Sequence, residues 1–180
     1  MLRPLQRRKL TRMFRLFDRD GDGALQWDDY ARISAGLLAV LAIDPDSALG
    51  RELAQSYRDE WAELTDEAQR EARGVTLEGW LAYRRAQLMM PDAFEVNVAP
   101  YILTIATHLD VDGDGHVTGD DLRRYLGLYG MSDDERAVAV SHLDPTGDGR
   151  FTYADVEDRA REFYFSNNPD ARGSWFLGPY

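Results

Sequence analysis

The sequence predicts an all-α fold: four helix–loop–helix units in two pairs, packed into one compact globule, with short two-stranded β contacts between paired loops. Three observations predict it. A twelve-residue pattern of acids and glycines occurs three times, at residues 18–29, 110–121 and 144–155. Each copy is flanked by stretches whose apolar residues recur at i, i+3, i+4 and i+7, the period of an amphipathic helix. A fourth segment, residues 68–79, keeps the apolar residue of the pattern at its eighth place, Val75, and has lost the acids.

Residues 4–17 form the first helix. Leu10, Met13, Phe14 and Phe17 share one stripe, and Pro4 suits the first turn because its missing N–H would be unpaired there anyway. The first loop leads into a helix over 27–43, which stops at Asp44-Pro45 because the residue before proline avoids the helical region. Asp46 or Ser47 caps the next helix, running to about residue 63, and Thr65, Asp66 and Glu67 form a cap or break. In residues 68–79, Ala68, Arg70 and Ala72 stand where acids would bind and Arg73 where glycine would turn. This unit is degenerate, kept so that the first loop has a strand to pair with, since a lone strand is marginal. Leu77, Trp80 and Leu81 begin its exiting helix. Pro91-Asp92 breaks and recaps the chain. Residues 93–109 are helical with an interruption at Pro100. After the central loop come a helix over 122–129 and a stop at Gly130. Ser132 with Glu135 is a capping box for the next helix, which carries Val138, Val140 and Leu143. The last loop leads into a helix over 153–165.

The central loop shows the chemistry. Carboxylates stand at positions one, three and five (Asp110, Asp112, Asp114), glycine at six (Gly115), His116 at seven, Val117 at eight and Asp121 at twelve. A hard divalent cation takes six to eight oxygens at roughly 2.3–2.6 Å, and alternating acids on a twelve-residue loop supply them. Gly115 permits the reversal that aims the carbonyl of position seven at the ion, and Asp121 closes the shell from the exiting helix. This is the EF-hand calcium loop. Asp and Gly also form ordinary turns, but all three copies share glycine at six, an apolar residue at eight (Leu25, Val117, Phe151) and Asp at twelve.

Composition excludes several classes. There is no cysteine among the 180 residues, so no disulfide or thiol chemistry. The longest apolar run, 35–43, falls far short of the roughly 20 residues of a membrane span. No signal-peptide core follows the charged start, and residue two is Leu, which rules out myristoylation. A soluble cytoplasmic protein is expected. The formal net charge is −11, yet residues 1–19 hold seven bases (Arg3, Arg7, Arg8, Lys9, Arg12, Arg15, Arg19) against Asp18, a local +6 that leaves −17 elsewhere. That basic start reads as a solvated helix face balancing an acidic body, not as a nucleic-acid or membrane anchor. Cations in the loops would neutralise the acidic excess.

A long spacing between the first two units, a dead second unit, Asp at position twelve and an aromatic tail (Trp175-Phe176-Leu177-Gly178-Pro179) together resemble the sarcoplasmic calcium-binding proteins, in particular their bacterial, calerythrin-like members. The resemblance covers essentially the whole chain; Ser174 departs from it where Asn is expected. It implies four EF-hands packed as one body, three Ca2+ ions and a buffering role. The ligand positions it implies are Asp18, Asp20, Asp22, Ala24 and Asp29 in the first loop. In the third hand they are Asp110, Asp112, Asp114, His116 and Asp121, and in the fourth Asp144, Thr146, Asp148, Arg150 and Asp155. Ala24, His116 and Arg150 would act through carbonyls, leaving their side chains free. The expected units are residues 1–90, 91–166 and a packed tail, 167–180.

Aspartate at position twelve is one methylene shorter than glutamate, which favours a smaller shell and Mg2+ as a competitor. Thr146 removes one charge from the fourth loop and Pro145 stiffens it, so that site is expected to be weakest. A sensor exposes a Met-rich groove; the five methionines here are scattered, and Trp175 and Phe176 are expected to fill the groove instead. The expected role is a monomeric buffer. A sensor with a protein target is the alternative, and a photoprotein-like ligand binder is the remote one. His108 and His142 read as helix-end cations. No nucleophile–base pair appears, so no enzymatic activity is expected.

Overall fold

The chain folds into helices α1 (Pro4–Phe17), α2 (Trp27–Val40), α3 (Ala48–Leu64), α4 (Leu77–Leu88), α5 (Ala93–Asn97), α6 (Ala99–Leu109), α7 (Gly119–Gly127), α8 (Asp133–Leu143) and α9 (Tyr153–Phe165), followed by a 3-10 turn, η1 (Arg172–Trp175). These come from a computed structural model, which describes residues 1–65, 74–144 and 146–180. The expectations for residues 66–73 and for Pro145 lie outside them. Two strand pairs tie the loops together. β1 (Ala24–Leu25) runs antiparallel to β2 (Val75–Thr76), with Leu25 opposite Val75. β3 (His116–Thr118) does the same with β4 (Arg150–Thr152), placing Val117 opposite Phe151. All four of these eighth-position side chains are buried. The unit that lost its acids therefore keeps its strand, and with it the partner of the first loop.

One continuous core joins the two halves. Phe17 lies edge-on to Tyr30 at 5.6 Å and stacks on Tyr129 at 5.9 Å, so a residue preceding the first loop touches both pairs. Trp80 donates to the Tyr30 hydroxyl, which donates in turn to Glu60. No helix among the described residues is long and apolar enough to cross a membrane.

Local chemistry explains where the elements stop. α2 ends at Val40, not at residue 43, because Ala42 turns left-handed (φ 52°) and the Ile43 amide folds back onto the Leu38 carbonyl. α7 starts three residues before the expected Leu122, since Thr118 caps it; the last positions of the loop are already helical. Leu128 to Gly130 then form turns, ending the helix before Tyr129. The helix over 93–109 is two, joined at Val98, with Pro100 in the first turn of the second. Ser47 and Ser132 cap as expected, whereas Asp92 takes a left-handed conformation and makes no side-chain cap. Val138 faces outward.

The basic start departs from a solvated face. Lys9 is fully buried, and its Nζ donates to the carbonyls of Glu162 (2.8 Å) and Ser166 (2.9 Å), closing the C-terminal end of α9. Arg12 reaches Glu135 at 2.6 Å and the Leu177 carbonyl at 3.3 Å. Burial pushes the Lys9 ammonium down to about 8, with Glu162 resisting. A neutral amine still carries two N–H donors, so both bonds survive deprotonation. The unfolded chain keeps that proton to about pH 10.4. Between these values it binds more protons than the folded chain, so stability rises with pH. From pH 7.5 to 9.5 we expect a gain of about 2 kcal/mol in denaturant unfolding. Above pH 10 buried Tyr57 and Tyr125, whose ionisation burial opposes, reverse the trend. Lys9→Met removes the rise; an unchanged slope in that variant would refute the assignment.

Candidate metal centre

Each acidic loop is built on its first aspartate. Asp18 accepts from the amides of Gly21 (3.0 Å) and Gly23 (3.1 Å). Asp110 accepts from Gly113 and Gly115, and Asp144 from Gly147 and Gly149, all at 2.8 Å. These are positions four and six. Both turn with positive φ in every loop (Gly21 +71°, Gly23 +86°), a region costly for residues bearing Cβ. The role of position four went unread in the sequence, although Asp-x-x-Gly-x-Gly recurs in all three copies.

With the loops so wound, the carboxylates of Asp18, Asp20 and Asp22 bring oxygens within 4.8 Å of one another, and so do those of Asp110, Asp112 and Asp114. Oxygen-only donors, close together and anionic, fit a hard divalent cation and not a soft one. In the fourth loop Thr146 takes the third position and its hydroxyl donates to Asp144 at 3.1 Å, leaving Asp148 as the second acid.

The twelfth residues stand apart from these groups. Asp29, Asp121 and Asp155 each sit in the first turn of the exiting helix, accepting from the amide of the ninth residue: Gln26 (3.0 Å), Thr118 (3.0 Å) and Thr152 (2.9 Å). Asp121 and Asp155 also accept from the Thr hydroxyls at 2.6 Å. Thr-x-x-Asp is a capping box with a shorter acid, visible in the sequence at both places. Ala24, His116 and Arg150 open β1, β3 and β4.

The two carboxylate triads differ in their surroundings. Arg150 pairs with Asp114 at 2.7 Å, Tyr153 donates to Asp110 at 2.6 Å, and Arg124 reaches Asp121 at 3.0 Å. The side chains of Arg150 and His116 are therefore not free, since His116 Nδ1 also lies 3.4 Å from Asp114. The Tyr153 hydroxyl holds the Asp110 carboxyl down to about 2, and Arg150 lowers that of Asp114. Asp18 moves the other way, raised by burial and by Asp22. The third loop is thus pre-neutralised by groups from the fourth, and the first keeps its repulsion.

His108 and His142 both lie in last turns of helices, with Nδ1 near the carbonyls of Thr104 and Val138 at 2.9 Å. His142 also stacks on Trp175, ring centroids 3.9 Å apart. Trp175 is only partly buried, packed on His142 and Tyr180; Phe176 and Leu177 enter the body, and Ser174 is fully buried, donating to the Asn168 carbonyl.

Residues 2–35 match the family model described as an EF-hand domain pair. The chain is 23% identical to calerythrin of Saccharopolyspora erythraea over 160 residues, covering 87% of this chain and 90% of that protein. It is 30% identical over 149 residues to a probable calcium-binding protein, CML16, of Oryza sativa subsp. japonica, covering 78% and 71%. Among solved structures it is similar to a Streptomyces coelicolor calcium-binding protein described in terms of prokaryotic calcium-mediated regulation: TM-score 0.62, 26% identity, 97% of this chain and 99% of that one.

Proposed function

This chain belongs to the EF-hand calcium-binding proteins, and from that premise we propose that it is a cytoplasmic calcium buffer of the sarcoplasmic, calerythrin-like type with three ion sites. The observation that carries the buffer reading is the tail. Phe176 and Leu177 are buried in the body, with Phe176 6.2 Å from Phe163, so the apolar surface a sensor would offer a target is already covered from within.

The ions are held by Asp18, Asp20, Asp22 and Asp29, by Asp110, Asp112, Asp114 and Asp121, and by Asp144, Thr146, Asp148 and Asp155. Carbonyls of Ala24, His116 and Arg150 complete the shells. Residues 1–90 and 91–166 form the two pairs within which binding is coupled. The fourth site is weakest, having one acid fewer. Each twelfth Asp spends an oxygen on its helix cap, which supports one-oxygen ligation and competition by Mg2+. A monomer without catalytic activity is the form in which it works.

A second reading, a sensor with a protein target, is favoured by the likeness to the Streptomyces protein, whose description speaks of regulation. Calcium titration by calorimetry, with and without millimolar Mg2+, separates the two when paired with small-angle scattering. The buffer gives weaker apparent calcium affinity in Mg2+ and the same radius of gyration in both ionic forms; a calcium-specific change of shape overturns it. In the same titration Arg150→Gln raises affinity at the third site about two- to fivefold, because it removes a half-exposed cation that competes with the ion for Asp114.

A further inference from the structure

Between the two pairs lies a cavity of about 240 Å³ that the metal sites do not use. Its floor is buried and aromatic: Phe17, Tyr125, Tyr129 and Phe163. Exposed Ser56 on α3 and Asn97 at the end of α5 line its rim, beside the Val98 joint where the helix restarts. Five tyrosines line it in all, each an apolar ring with a polar tip that usually finds a hydrogen-bond partner when buried.

Their hydroxyls are incompletely used. The Tyr57 and Tyr101 hydroxyls meet at 2.5 Å, and those of Tyr125 and Tyr129 at 2.8 Å. A pair of hydroxyls shares one proton and leaves the other without an acceptor. Each pair thus retains a donor, and among the described residues no acceptor takes it. Arg84 also lines the cavity; its Nη2 is spent on Glu60, while its buried Nε has no acceptor. Unspent donors in an aromatic chamber cost free energy unless something accepts from them.

We infer that this chamber binds a small, flat, uncharged aromatic molecule carrying a carbonyl or ether oxygen, which accepts from the tyrosine hydroxyls while its rings pack on Phe17 and Phe163. Size sets the class. An apolar cavity of about 150 Å³ takes a single benzene ring, so this one takes two fused rings. Charge argues for neutrality, since Arg84 is already balanced by Glu60. Nothing in the inference depends on the buffer reading, and the assay is run on the full chain with calcium and with chelator.

Coumarin is the probe, with naphthalene as a control of the same shape that lacks the acceptor. One equivalent of coumarin is expected to bind with a dissociation constant below about 0.1 mM, and naphthalene at least about tenfold more weakly. Tyr101→Phe weakens coumarin about fivefold or more and leaves naphthalene unchanged. Ala160→Phe, which fills the chamber from α9, abolishes coumarin binding while the calcium stoichiometry stays as in the wild type. Should that variant fail to fold, Ser56→Trp at the exposed rim decides, since it blocks entry without touching the core. Absence of saturable coumarin binding up to about 1 mM, equal affinity for both probes, or undiminished binding in the blocked variant would overturn the inference. Water alone then fills the space.

Discussion

Removing calcium with a chelator is expected to lower the melting temperature by about 15–30 °C. Ligand at about a hundred times its dissociation constant stabilises the folded state by roughly 2.7 kcal/mol per site. The three proposed sites together would contribute about 8 kcal/mol, and 1 kcal/mol shifts the midpoint of a chain this long by about 2–4 °C. The loop geometry supports a loss of this size. Without a cation, Asp18, Asp20 and Asp22 face one another within 4.8 Å, and burial and Asp22 already raise the Asp18 carboxyl. The third loop is better prepared for the metal-free state, because Arg150 and Tyr153 neutralise or bond two of its acids. Asp22→Asn, which keeps the oxygen that the Ala24 amide uses and removes the charge facing Asp18, should therefore destabilise the calcium form and stabilise the chelated form, whereas Asp110→Asn, which leaves one oxygen for the Gly113, Gly115 and Tyr153 donors, should weaken both. Asp144→Asn should have the smallest effect on the calcium form. Differential scanning calorimetry in calcium and in chelator measures all of these. A shift below about 5 °C on chelation would mean that the loops do not couple binding to folding.

The features legible in the sequence are those whose causes are local. Asp/Gly spacing places the three loops because each loop's hydrogen bonds run within it, from Asp18 to Gly23 or from Asp110 to Gly115. The Ser132 capping box and the span of α9 follow from neighbours three or four residues apart. Arg150 on Asp114 spans 36 positions and Lys9 on Glu162 spans 153, and no periodicity carries such pairs. Lys9 did leave a trace: it sits between Leu5 and Met13 at intervals of four, in the buried stripe and not on the wet face. The cavity left none, because its tyrosines come from several helices and meet only when the two pairs pack.

Deleting residues 174–180 is expected to cost about 3–6 kcal/mol and to turn the body into a surface that binds hydrophobic dyes. Phe176 and Leu177 are 8% and 4% exposed, and burying such side chains is worth roughly 1.5–3 kcal/mol each. The approach is close. A Cβ at Gly173 would lie 2.0 Å from the Arg159 carbonyl, so the chain passes directly over α9, and the Gly173 amide donates to Glu162 at 2.7 Å. Beyond the buried pair, Gly178 turns left-handed (φ +77°) beside Met131, itself buried. Arg12 pins the Leu177 carbonyl while pairing with Glu135, so α1, α8 and the tail lock one another. Truncation uncovers Phe163 and Met131 together, a patch of the kind that recruits partners. The midpoint should fall by about 10–20 °C, and dye fluorescence should rise in calcium, where the wild type stays dark. Phe176→Ala with Leu177→Ala should reproduce most of the loss with the backbone contacts intact. If the truncated chain melts within a few degrees of the full one and binds no dye, the tail is not the internal occupant of that surface, and the case for a buffer loses its support.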